Sequence, residues 1–267
     1  MPDTQPGAAA ADMLLREDRD GVAVLTLNRP ASRNALSRAM LAALKDAFDA
    51  LAHDGSVGAV VVQAEGPAFS AGHDLKEIRA NRDRDFYERL MAECAAVMTR
   101  VVRLPKPVVA AVEGVATAAG CQFVASCDLA VAGAGARFAT PGVNIGLFCS
   151  TPMVALSRNV APKHAMEMLL TGDMIDAEHA ARIGLVNRVV PQEEARTAAF
   201  ALARQIATKS PYTLKVGKEA FYRQLELGLD AAYAYASDVM TQNLMARDAE
   251  EGIAAFVEKR EPKWEGN

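Results

Sequence analysis

The sequence predicts an α/β fold with an appended helical lobe. Strand-like and helix-like segments alternate from residue 21 to about residue 190. The stretch VGAVVVQAEG (57–66) is apolar on both faces, as in a sheet covered on each side. From Gln192 to about Val257 the apolar spacing is helical throughout.

Each element has its own signal. GVAVLTLNRP (21–30) alternates, is rich in β-branched residues and stops at Pro30. Ser37 has the form of an N-cap, with Met40, Leu44, Phe48 and Leu51 recurring at helical spacing behind it. After the strand at 57–66, GPAFSAGHDLKEI (66–78) forms a strand-to-helix turn. An amphipathic helix follows from about Arg84 to Val102 and ends before the Pro-Lys-Pro at 105–107. PVVAAVEG (107–114) is a strand, TAAGCQFVASCD (117–128) a helix, and LAVAG (129–133) and ARFATP (136–141) are short strands. Beyond Pro152 the pattern is helical; Asp176 caps AEHAARIG, and LVNRVV (185–190) is the last strand. Residues 1–12 are expected to be a disordered tail, 13–200 the core with the ligand site, and 201–267 a helical lobe for subunit and ligand contacts. Tyr222, Tyr233, Tyr235, Met240 and Met245 read as core and subunit contacts.

Composition narrows the function classes. Of 267 residues 51% are hydrophobic and 23% charged, with a net charge of −4 and scattered basic residues. Nucleic acid and anionic membrane need a concentrated positive field, so neither is expected as a partner. No apolar run reaches membrane-spanning length. MPDTQPGAAAAD lacks the basic and apolar regions of a signal peptide and has no Arg, so a cytoplasmic protein is expected. Cys94, Cys121, Cys127 and Cys149 lie in apolar surroundings with no CxxC pair and read as buried free thiols.

Several chemistries are excluded by spacing. There is no GxGxxG after a strand and no GxxxxGK[ST]. The histidines (53, 73, 164 and 179) never pair at i+3 or i+4, so no metal site is expected. SAGHD (70–74) holds Ser, His and Asp, but triad members converge from separate elements. What remains is two turns of small residues, Ala71-Gly72 within 66–78 and the stretch at 117–122, each leading into a helix whose first N–H groups lack intrahelical partners. Two such amides aimed at one point would form an oxyanion hole, worth on the order of 10²–10³ in rate per donor.

AFSAGHDLKEI, PKPVVAAVEG with AAGC and CDLAVAG, LLTGDMIDAEHAARIGLVNRVV and the terminal FVEKREPKW resemble the enoyl-CoA hydratase/isomerase (crotonase) family, in order, from Leu14 to Trp264. The resemblance implies a ClpP-like fold of stacked ββα units with a C-terminal helical lobe. It also implies a homotrimer or dimer of trimers and acyl-CoA thioester substrates, with coenzyme A as part of the substrate and no separate cofactor. Carried over residue by residue, the hole donors are the backbone N–H groups of His73 and Ala119, the latter usually glycine. Arg33, Asn34 and Ala35 match the segment along CoA. Ala71, Asp74, Leu75 and Lys76 match that around adenine and pantetheine, and Phe256 and Lys259 match C-terminal CoA contacts.

The same resemblance exposes what is missing. The two hydratase glutamates are replaced by Gln122 and Gly142, and the acid position of related isomerases holds Ser150. An amide does not titrate near neutral pH, and each general acid or base typically supplies about 10²–10⁴ in rate. Classical hydratase activity is therefore expected to be weak or absent. Three readings stay open: a decarboxylase using the hole alone, a non-catalytic acyl-CoA-binding or regulatory protein, and a hydratase in which Asn144, Cys149, Ser150 or a water replaces the acids. AGHDL and TPGVNIG are similar to methylmalonyl-CoA decarboxylases. GLFCSTPMVALSR (146–158) resembles the enoyl-CoA hydratase domain-containing protein 3 subgroup.

Overall fold

A computed structural model describes residues 13–267; the tail expected at 1–12 lies outside them. Strands β1 (Leu14–Arg19) and β2 (Val22–Leu27) form an antiparallel hairpin that the sequence reading overlooked. Its two-residue loop is Asp20-Gly21, both at positive φ (49° and 73°). Asp-Gly between strands is a strong hairpin signal, because this turn matches the strand twist only with left-handed residues. The solvated LLREDR of β1 hides its strand character.

Behind the hairpin come α1 (Arg38–His53), β3 (Ala59–Ala64), β4 (Ala68–Ser70), α2 (Leu75–Ala80) and α3 (Arg84–Arg103). They are followed by β5 (Val108–Val112), β6 (Val115–Thr117), α4 (Ala119–Ser126), β7 (Leu129–Gly133) and β8 (Arg137–Ala139). The expected caps are present: Ser37 accepts from the Met40 amide and Asp176 from that of His179. β3, β5 and β7 lie side by side and parallel in a six-stranded sheet of order β1-β2-β3-β5-β7-β10, with β10 at Arg188–Val190. Their followers β4, β6 and β8 lie parallel in a four-stranded sheet of order β4-β6-β8-β9, with β9 at Ile175–Asp176. Each turn of the chain thus adds one strand to each sheet and then a helix, which is the stacked ββα architecture.

After β8 come α5 (Pro152–Asn159), α6 (Pro162–Thr171), β9 (Ile175–Asp176), α7 (Ala177–Arg182) and β10 (Arg188–Val190). β10 is shorter than the LVNRVV segment, whose first half forms the turn out of α7. The main core joins the sheets to α1, α3 and α4, with Phe48, Phe69, Phe123 and Phe138 fully buried. The other face of the large sheet is covered by α8 (Ala195–Ala207) through Ala195, Ala199 and Ala203. Residue 200 falls inside this helix.

The lobe continues as α9 (Pro211–Gln224), α10 (Leu229–Leu244) and α11 (Arg247–Glu258). A buried polar staple holds α9 to the core. Lys218 Nζ donates to Asp128 Oδ2 at 2.6 Å and to the carbonyls of Val101 and Lys106, while Tyr222 Oη donates to Asp128 Oδ1 at 2.9 Å. Burial lowers the Lys218 ammonium pKa and raises that of the Tyr222 phenol. Tyr233, Met240 and Met245 are exposed in the single chain, so they do not belong to its core. No helix among the described residues is long and apolar enough to cross a membrane.

Candidate functional site

The site is built by two neighbouring strands of the small sheet. β4 and β6 are parallel, with Ser70 opposite Ala116, so both chains leave the sheet on one side. The carboxyl ends of parallel strands are where α/β folds commonly open a ligand crevice. The turn after β4 runs through Ala71, Gly72 and His73; the turn after β6 runs through Ala118 into α4.

These turns touch. A Cβ on Gly72 would lie 3.2 Å from the Ala119 nitrogen and 2.9 Å from the Ala118 methyl. Gly72 has φ +88°, a conformation side-chain-bearing residues rarely adopt. Gly120 is equally constrained, since a Cβ there would strike the Ser70 carbonyl. Ala118 sits at φ 51°, ψ −119°, a region normally left to glycine, anchored by its N–H to the Ala139 carbonyl at 2.9 Å. Among the described residues, the amides of His73 and Ala119 have no backbone acceptor.

Segment 33–37 forms a lip along the first turn. Leu36 N donates to Gly72 O at 2.8 Å, and Ala71 N donates to Arg33 O at 3.0 Å. Arg29, which the sequence reading overlooked, binds the lip together: its guanidinium reaches Ala35 O, Ser37 Oγ and, at 3.5 Å, Asp74. The Asn34 side chain is fully buried and committed to the backbone. Its Oδ1 accepts from the Arg29 amide, and its Nδ2 donates to the carbonyls of Glu65 and Ala68, each at 2.8 Å. Asp74 caps α2 by accepting from Lys76 and Glu77 N–H. Asn34 and Asp74 therefore hold the mouth in shape, while Leu75 and the cationic ends of Arg33 and Lys76 are exposed beside it.

His73 is fixed from one side only. Its Nδ1 lies 3.4 Å from the Leu36 carbonyl, which can only accept, so Nδ1 carries the proton. Nε2 is buried with no partner. Desolvation lowers the imidazole pKa, against smaller raising effects of the Leu36 carbonyl and Glu77.

The two acid positions differ. Gln122 is 4% exposed, one turn into α4, and its Oε1 is buried without a partner. It opens onto a groove of about 870 Å³ between α3, α4, α5 and α9. Gly142, in the 3₁₀ turn Pro141–Ile145, is closed over instead of vacant. A Cβ there would lie 2.5 Å from Leu147 O and 2.9 Å from Cys149 Sγ. Burial raises the Cys149 thiol pKa. Ser150 faces solvent. Phe256 stands on α11 and is 86% exposed, and Lys259 is the left-handed residue that ends the helix.

His164 and His179, distant in sequence, meet edge to face with ring centroids 6.2 Å apart. Among the described residues no group of three His, Cys, Asp or Glu could hold a metal ion. All four cysteines are buried and free.

The enoyl-CoA hydratase/isomerase family model matches residues 17–267. The mitochondrial enoyl-CoA hydratase domain-containing protein 3 of Rattus norvegicus is 48% identical over 246 residues, 92% of this chain and 82% of the relative. The crystal structure of an enoyl-CoA hydratase from Mycobacterium smegmatis is 55% identical with a TM-score of 0.92, covering 94% of this chain and 98% of that one. The crystal structure of human enoyl-CoA hydratase domain-containing protein 3 is 46% identical with a TM-score of 0.91, covering 94% and 100%. The cytoplasmic expectation conflicts with the rat relative and its mouse and human counterparts, which are mitochondrial by name. That expectation rested on residues 1–12, and an address segment is separable from the fold it accompanies.

Proposed function

The chain belongs to the enoyl-CoA hydratase/isomerase family, and on that premise we propose that it binds acyl-CoA thioesters and stabilises a thioester enolate between the amides of His73 and Ala119. The observation that carries this reading is the contact of the two turns, with Gly72 packed against the Ala119 nitrogen and both amides free of backbone acceptors. A thioester oxygen placed there would accept two N–H bonds, which strengthen as negative charge builds on it. The α4 N-terminus adds its dipole to the same point. Arg33 and Lys76 flank the mouth as exposed cations without ion-pair partners among the described residues, suited to the phosphates of coenzyme A. The apolar surface of the lobe, with Leu229, Tyr233, Met245 and Phe256 exposed, suits a homotrimer in which Phe256 and Lys259 reach a neighbouring CoA.

Hydration needs a base for water and an acid for the α-carbon. Neither Gln122 nor Gly142 provides one, so turnover of crotonyl-CoA by this chain is slow or nil. The second reading is decarboxylation of a malonyl-type thioester, favoured because neither acid position holds a carboxylate. The bond to the carboxylate breaks, its electron pair passes into the thioester enolate, carbon dioxide leaves, and water returns a proton to the α-carbon. No base is needed.

Incubating the protein with crotonyl-, malonyl- and methylmalonyl-CoA and reading mass separates these outcomes. Gain of water at rates typical of hydratases would sink the proposal, loss of carbon dioxide would select the second reading, and binding without conversion would leave a carrier or regulator. Absence of binding to any thioester would overturn the ligand class itself.

A further inference from the structure

The groove beyond Gln122 carries more than apolar surface. α4 places Ala119, Gln122 and Ser126 on one face, at spacings of three and four. The hole amide is at its head, and Gln122 and Ser126 line the groove. From Ala119 to Ser126 the helix advances about 10 Å, the length of a medium acyl chain. Met98, Val102 and Val154 give the groove apolar walls, and its 870 Å³ falls within the usual range for small-molecule sites.

Its charge is not balanced. Five cations line it, Arg103, Arg158, Lys215, Lys218 and Arg223, against the carboxylates of Glu219 and Glu226. Lys218 is committed to Asp128, Arg158 lies 3.8 Å from Glu226, and Arg223 stacks on the Tyr235 ring. Arg103 and Lys215 have no ion-pair partner among the described residues. At the groove's inner end, the buried Gln122 Oε1 has no donor. Unpaired cations along an otherwise apolar groove are what an acyl chain with an anionic tail would satisfy.

We infer that the preferred thioesters carry a second, anionic group at the far end of the acyl chain, a ω-carboxylate held by Arg103 and Lys215. This deepens the proposed function and rests on its acyl-CoA reading. Octanoyl-CoA and its ω-carboxylated counterpart, suberyl-CoA, differ only at that end, and titration calorimetry at low salt compares them on the full-length protein. Suberyl-CoA is expected to bind about five-fold tighter or more, the gain of a partly screened ion pair. In the Arg103→Met/Lys215→Met protein the ratio of the two affinities falls to about one. Equal affinities for the unsubstituted protein, or a preference that survives the double substitution, overturn the inference while leaving acyl-CoA binding in place. Binding of neither thioester instead overturns the proposed function on which the inference rests. A groove closed by a second copy of the chain would show as equal affinities, and so counts against it.

Discussion

Gly142 and Leu147 close on each other. The Leu147 amide donates to the Gly142 carbonyl at 2.9 Å, and the Leu147 carbonyl stands where a side chain at 142 would begin. The second acid position is therefore occupied by backbone and by the Cys149 thiol. Restoring a carboxylate there requires moving the loop. Gly142→Ala is expected to destabilise the protein by about 1–3 kcal/mol through overpacking, seen as a lower midpoint in urea. Gln122→Glu combined with Gly142→Glu should gain little hydratase activity, and a robust gain would show that the loop yields.

The orphaned amide of Gln122 makes a prediction of opposite sign. A buried acceptor without a donor costs roughly 1–3 kcal/mol. Gln122→Leu, similar in volume, is expected to leave thermal stability unchanged or raise it. A clear drop in melting temperature would mean that Oε1 is satisfied in solution.

Removing one partner of a buried ion pair leaves the other uncompensated. Lys218→Met strands Asp128 behind α9 and should cost about 3–5 kcal/mol. Tyr222→Phe removes a single bond to the same carboxylate and should cost about 1.5–3 kcal/mol, the range for hydrogen bonds to charged groups. Denaturant titration of both variants checks the order; equal costs would mean that water replaces the ammonium.

His73 sets an acid limit. Its pKa in the fold lies below the ordinary value of 6.5, so the unfolded chain binds the proton more readily. Stability contributed by the neutral ring is complete above pH 6.5 and declines as pH falls toward the depressed value. His73→Asn should flatten that part of a stability-against-pH curve. An unchanged slope would place the acid sensitivity elsewhere.

Much of this was legible from spacing. The apolar run at 57–66 announces a sheet covered on both faces, and α8 supplies the second cover. Ser37 and Asp176 mark their helices because few residue types satisfy open amides there. The two small-residue turns are readable individually, but their contact depends on the adjacency of β4 and β6, which no local pattern encodes. β1 escaped notice because its exposed charges mask a strand that its Asp-Gly turn declares. Arg29 and the closure over Gly142 depend on side chains and carbonyls from distant segments. Asn34 shows the converse: a motif position that looks ready to touch ligand is fully engaged in holding the β3–β4 loop.

The contact between Gly72 and Ala118 has a consequence for how such a sequence can change. The Ala118 methyl already stands 2.9 Å from where a Cβ on residue 72 would lie, so any enlargement of one turn collides with the other. Ala118 could shrink to glycine and release its unfavourable backbone conformation, whereas Gly72 has no smaller alternative. Substitution at these two positions is thus one-directional and coupled. Divergence among chains of this architecture should enter through the lip and groove before it reaches the paired turns.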